Sequence, residues 1–173
     1  HTVHLWKNWS TLTDAVIVGS TVAMQQPIND RAENWLESFI SAMHMRAIPQ
    51  AREIAALLNF KNTINILDIG GGSGAFSFEF LRQKEGMKAV VFDLPNVVTL
   101  TEKYISEARM KDKVTTLAGN YHIDSFGSRY DMVYISAVIH INSPDENIML
   151  IQKSVDALNT GGQLVISDWI MND

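Results

Sequence analysis

Between Ile64 and Phe80 the sequence reads INILDIGGGSGAFSFEF: an apolar run closed by a carboxylate, four glycines within five residues, and a second apolar run. Such a stretch is best used as a strand that turns sharply into a helix with its backbone laid bare. Glycine tolerates positive φ and lets a ligand lie against the main chain, while the free N–H groups opening the next helix favour negative charge. The glycines therefore predict a ligand with a carboxylate or phosphate end. A tight turn with close strand–helix packing and no ligand is the plainer alternative.

The remainder of the chain supplies the matching rhythm. After Asn62, short β-rich runs (INILDI, KAVVFD, KVTTLAG, YDMVYIS and QLVISD) alternate with the helical stretches AFSFEFLRQKEG, PNVVTLTEKYISEARMK and SPDENIMLIQKSVDALNTGG. This alternation predicts a doubly wound α/β domain with a mainly parallel sheet covered on both faces, and ligands bind at the carboxyl ends of such strands. The first sixty residues read as helical. One helix is expected over NDRAENWLESFISAMHM with Asp30 as its cap, a second from Pro49 through QAREIAALLN, and a short one over LWKNWSTLTDAVIVG ending near Gly19. Residues 1–62 are thus a helical lead-in closing over the ligand, and residues 63–173 the ligand-binding domain.

A net charge of −5 argues against nucleic acid or an acidic membrane surface as the partner. A small molecule is expected. The absence of cysteine excludes a thiolate nucleophile and a disulfide framework, which leaves the cytoplasm as the default compartment. The longest apolar run, MVYISAVIHI, has about half the length a bilayer crossing requires. His1, His4, His44 and His122 show no metal-ligand spacing, so no metal is expected. The start at His1 and the ending WIMND suggest a piece of a longer protein.

Two kinds of ligand fit the glycines. Gly70 to Ala75 reads as G-x-G-x-x-A, similar to the fingerprint of dinucleotide-binding oxidoreductases. Read with its strand, Asp68-x-Gly70-x-Gly72-x-Gly74 resembles the first motif of the class I S-adenosylmethionine-dependent methyltransferases. Both ligands contain an adenosine, and both call for a carboxylate on the ribose. Asp93 ends KAVVFD at close to the expected separation of about 20 residues from the loop. The FDLP that includes it resembles the O-methyltransferase family of plant phenylpropanoid, acetylserotonin, and bacterial hydroxyneurosporene and polyketide enzymes. That resemblance runs from LWKNWSTLTD through AMHMRA to GGQLVISD, nearly the whole chain.

The resemblance implies roles residue by residue. Asp68 and the glycines would handle the amino-acid end of S-adenosylmethionine, with Asp93 at the ribose and Leu94 also binding the cofactor. AGNY places Asn120, in place of the usual acid, at the adenine amine and Tyr121 at its ring. Phe39, Met43 and Ala47 match positions near the cofactor, and Arg46 could pair with the methionine carboxylate. Ser136 falls where some members carry a basic residue. His140 stands at the position of the general base, followed by Ile141 and Asn142 instead of Asp-Trp.

The implied reaction is methyl transfer from S-adenosylmethionine to a hydroxyl of a small aromatic or isoprenoid secondary metabolite, in a homodimer. C- or N-methylation, an NAD-dependent oxidoreductase, and a non-catalytic assembly module stay open. Members complete the sheet with two further strands, so QLVIS is expected as an exposed edge.

Overall fold

The structure, a computed structural model, describes Trp6, residues 9–19, Val22 and residues 33–169. Helix α1 (Leu12–Val18) ends on Gly19 in the left-handed conformation, where the sequence predicts it. The Asp30 cap lies outside the described residues. The two helices expected next are one: α2 (Glu33–Leu57) runs for 25 residues with Pro49 inside it. Proline cannot donate to the carbonyl four residues back. Here that carbonyl belongs to Met45, and both residues are exposed, so the orphaned oxygen can meet water. Burial of Leu36 and Ile40 in the first half and of Ala51 and Ala55 in the second overrides the proline.

Strands β1 (Asn65–Ile69), β2 (Lys88–Asp93), β3 (Val114–Ala118), β4 (Tyr130–Ser136) and β5 (Leu158–Ser167) pair in parallel in the order β3-β2-β1-β4-β5. The chain steps outward from β1 to β2 and β3, then returns to lay β4 on the other side of β1. The connections after β1 and β4 leave in opposite directions, and the crevice between those strand ends is where such a sheet admits a ligand. Among the described residues β5 has only β4 beside it, so the expected edge position of QLVIS is observed. The last strand starts at Leu158 rather than at Gln163, because the chain enters the sheet directly after the preceding helix, with a register irregularity between Tyr130 and Met132.

Helices α3 (Ala75–Leu81), α4 (Pro95–Glu107) and α5 (Pro144–Ala157) complete the layers. Strand alternation sends Ile66, Met132 and Tyr134 to one face, under α3 and the second half of α2. Phe80 of α3 packs edge-on against Tyr134 with ring centres 4.9 Å apart. Leu67, Ile69, Val133 and Ile135 face the other way, against Leu150 and Ala157 of α5. Every residue of α3 is buried, Glu79 included, and its carboxylate is matched by Arg82 and by Arg52 of α2. Among the described residues no helix is long and apolar enough to cross a membrane.

Restoring the missing donor should strengthen α2. Pro49→Ala is expected to raise stability to urea by about 1–3 kcal/mol. An unchanged or lower unfolding midpoint would mean that the helix depends on the proline.

Candidate functional site

The glycine loop follows β1 into the crevice. Gly71 has ordinary φ, but a Cβ there would stand 2.7 Å from the Asp68 carboxyl carbon, so this glycine is demanded by the buried acid beneath it. Gly72 has φ +55, and a Cβ on it would meet only Ile40 of α2, at 3.9 Å. Asp68 is almost fully buried and accepts from the Ser77 hydroxyl at 2.7 Å. Burial pushes its carboxyl up to about 7; the Ser77 bond opposes that rise, and the charge of Asp93 adds to it.

The loop is also held from outside, by residues the sequence reading did not select. The Thr101 hydroxyl of α4 donates to the Gly72 carbonyl, and His44 Nδ1 lies 2.8 Å from Ser73 Oγ. His44 stacks on Tyr104 with ring centres 4.4 Å apart, and burial lowers its pKa against the opposing charge of Glu107. Spacing alone could not have found these contacts, because α2 and α4 come together over the loop only in the fold.

Asp93 ends β2 beside the loop. One carboxylate oxygen accepts from Gly72 N–H and the other from Leu94 N–H, both at 2.8 Å. Burial raises its pKa to about 6 against these two bonds. Each oxygen keeps a further lone pair, which suits a ribose diol. Gly119 N–H donates to the Asp93 carbonyl at 2.9 Å and so brings the end of β3 alongside. There Asn120 Oδ1 accepts from His122 N–H, and the Tyr121 hydroxyl donates to Asn142 Oδ1 at 2.8 Å. Ser136 ends β4 opposite Ser167 of β5. On α2, Phe39 stacks on Trp35, Met43 is partly buried, and Arg46 lies over the Trp169 ring.

Beyond β4 the chain passes through Ala137 at φ 55 and enters a short 3₁₀ turn, Ile139–Ile141. His140 Nδ1 lies 2.9 Å from Asp168 Oδ1, and Asp168 also accepts from Ile139 N–H at 2.9 Å and Trp169 N–H at 2.8 Å. Its side chain is 1% exposed, whereas that of His140 is 36% exposed. Burial pushes the Asp168 carboxyl up, but the Trp169 N–H, the His140 imidazole and the Ile139 N–H outweigh it and leave the pKa lowered. An ionised acid at Nδ1 requires that nitrogen to carry the proton, which leaves the lone pair on Nε2.

Asp168 was missed by the sequence reading. Its signal was present, since Asp93 likewise stands where an apolar run ends. Of the two residues standing where Asp-Trp was the expected pattern, Asn142 does structural work through Tyr121 and Asn147, while Ile141 is exposed. Ser143 caps α5 reciprocally with Glu146, and Asn147 donates to the Ile139 carbonyl at 2.9 Å. A cavity of about 340 Å³ opens at the opposite, amino ends of the strands near Lys88, Lys113 and Arg129, and touches none of these residues.

Residues 9–173 match the model of the O-methyltransferase domain. A 3-hydroxy-5-methyl-1-naphthoate 3-O-methyltransferase of Streptomyces sahachiroi is 30% identical over 95% of this chain and 49% of its own length. An L-tyrosine C(3)-methyltransferase of Streptomyces lavendulae is 32% identical over 70% of this chain and 33% of its own. The chain spans about half or less of the length of these relatives. Human N-acetylserotonin methyltransferase, solved with S-adenosylmethionine, shares the fold at a TM-score of 0.79 and 21% identity, over 93% of this chain and 48% of that one. The chain belongs to the O-methyltransferase domain family, whose methyl donor is S-adenosylmethionine.

Proposed function

We propose that this chain binds S-adenosylmethionine across the strand ends and uses His140 to deprotonate the hydroxyl of a small aromatic or isoprenoid metabolite. One observation carries the reading: the Asp168 carboxylate, its side chain 1% exposed, lies 2.9 Å from His140 Nδ1 at the rim that holds the glycine loop, an arrangement that favours the proton on Nδ1. Gly70, Gly72 and Gly74 with Asp68 would hold the amino-acid end, Asp93 and Leu94 the ribose, and Asn120 and Tyr121 the adenine. Phe39 and Met43 would line the α2 side, and Ser136 the end of β4. Family membership sets the oxidoreductase alternative aside.

The bound cofactor supplies a methyl group already activated on a sulfonium. The protein has to align the acceptor and take one proton. A phenol of pKa about 10 is protonated at neutral pH, and Nε2 of His140 can accept that proton as the new bond forms. Asp168 then faces an imidazolium, which its charge stabilises. The names of the two Streptomyces relatives both describe hydroxylated aromatics, which supports that class here. The second name also keeps open methylation of a ring carbon beside a phenol, which uses the same base. Leu12, Val16 and Ile17 are exposed on α1 and offer an apolar contact for the proposed homodimer. The cysteine-free composition suits the cytoplasm as the proposed location.

In the protein as its gene encodes it, His140→Gln should lower kcat by about 10²–10⁴ while leaving S-adenosylhomocysteine affinity intact. Asp168→Asn should fall in the same direction, and the double variant should be little worse than His140→Gln alone, since the two act as a unit. Near wild-type turnover in a folded His140→Gln protein would remove the base from the mechanism, and absence of any methyl transfer by the wild type would favour the non-catalytic module.

Binding should depend on pH through Asp93. Ribose hydroxyls donate best to its ionised form, so S-adenosylhomocysteine affinity is expected to fall as pH drops through about 6. Asp93→Asn should bind more weakly and lose that dependence in calorimetric titrations. A wild-type affinity that stays flat between pH 5 and 7 would place the ribose elsewhere.

A further inference from the structure

Arg46 is exposed on α2, with its guanidinium carbon 5.0 Å from the centre of the Trp169 ring. It makes no ion pair among the described residues; the arginine salt bridges belong to Arg52 and Arg82. The carboxylate next to Trp169 is Asp168, which is buried and committed to Ile139, Trp169 and His140. A guanidinium lying on a π-face keeps its in-plane N–H fork free for an anion.

Trp169 also meets His140 at right angles, with ring centres 5.0 Å apart. Two 5.0 Å steps through one indole therefore link the Arg46 guanidinium, without an ion pair among the described residues, to the imidazole of the base. The indole itself is 56% exposed, so an aromatic surface stands open beside both. The glycine loop is served from a different side of α2. Residues two apart on a helix face different directions: His44 turns to Ser73, and Arg46 turns to Trp169.

We propose that Arg46 and Trp169 form an anion subsite for the acceptor, and that the acceptor is a hydroxylated aromatic carboxylic acid with its carboxylate on Arg46 and its hydroxyl at His140. The planar fork of arginine matches a carboxylate bidentately, and one cation balances one such charge. This assignment rests on His140 being the base.

The test uses the whole protein and matched pairs of acceptors: 3-hydroxybenzoate with phenol, and 3-hydroxy-2-naphthoate with 2-naphthol. Methyl transfer is followed for each, and S-adenosylhomocysteine affinity is measured by calorimetry. The wild type should favour the carboxylated member by at least about tenfold in kcat/KM, as a charge-assisted bond would give. Arg46→Gln should bring the ratio close to one, mainly through KM, with S-adenosylhomocysteine affinity unchanged. Arg46→Lys should restore part of the preference, and Trp169→Leu should weaken it. Equal use of both members by the wild type, or a preference that survives in Arg46→Gln, overturns the subsite alone. Loss of S-adenosylhomocysteine affinity in Arg46→Gln overturns it in favour of the cofactor carboxylate. No transfer to any member of either pair counts against the subsite and the hydroxyl-methylation reading together.

Discussion

A parallel sheet makes every strand finish on the same side, and that constraint gathers the chemistry of this chain. Asp68, Asp93, Asn120, Ser136 and Asp168 come from five strands distributed over a hundred residues, yet all lie at or just beyond carboxyl ends. The change of direction between β1 and β4 then opens the rim at one place. The glycine loop enters from one side of that opening and the turn carrying His140 from the other.

Three carboxylates on one rim cannot all be treated alike. Asp68, nearly completely buried, is pushed up to about 7 although the Ser77 hydroxyl and backbone N–H oppose the rise, and the charge of Asp93 adds to it. Asp93, with two N–H donors against its burial, reaches about 6. Asp168 is less deeply set than the other two, and its two N–H donors and the imidazole outweigh that smaller burial. The sign of the linkage follows from this order. Asp68 and Asp93 retain protons that the unfolded chain, near 3.8, would release, so their contribution to stability is largest at low pH and is lost as pH rises through about 6 and 7. Asp168 acts oppositely, stabilising above the unfolded value and losing that contribution as pH falls through its depressed pKa. The carboxylate proposed to receive a ribose thus carries a cost when ionised without ligand, while the one bonded to His140 is stabilised from within.

The sheet was legible because buried parallel strands are continuous apolar runs, and β2 and β4 coincide with KAVVFD and YDMVYIS. The glycine loop was legible because it needs glycine for reasons local to it. Less legible was α2, whose continuity through Pro49 depends on which side of the helix the core occupies, something the local sequence does not state. His44, Thr101 and Asp168 escaped for a related reason: each acts on a partner about thirty residues away, at Ser73, Gly72 and His140.

The departure from Asp-Trp after His140 also makes sense once those distant partners are in view. Asn142 accepts from the Tyr121 hydroxyl at the end of β3 and donates to Asn147, whose own amide donates to the carbonyl of Ile139. The turn is therefore tied to β3 and α5 on one side and to β5, through Asp168, on the other. An imidazole carried on three residues of 3₁₀ helix would otherwise have little to fix its orientation. Here the ring nitrogen is held by Asp168 and the turn's backbone by Asn147, so Asn142, through Tyr121 and Asn147, helps supply orientation by a route the motif did not reveal.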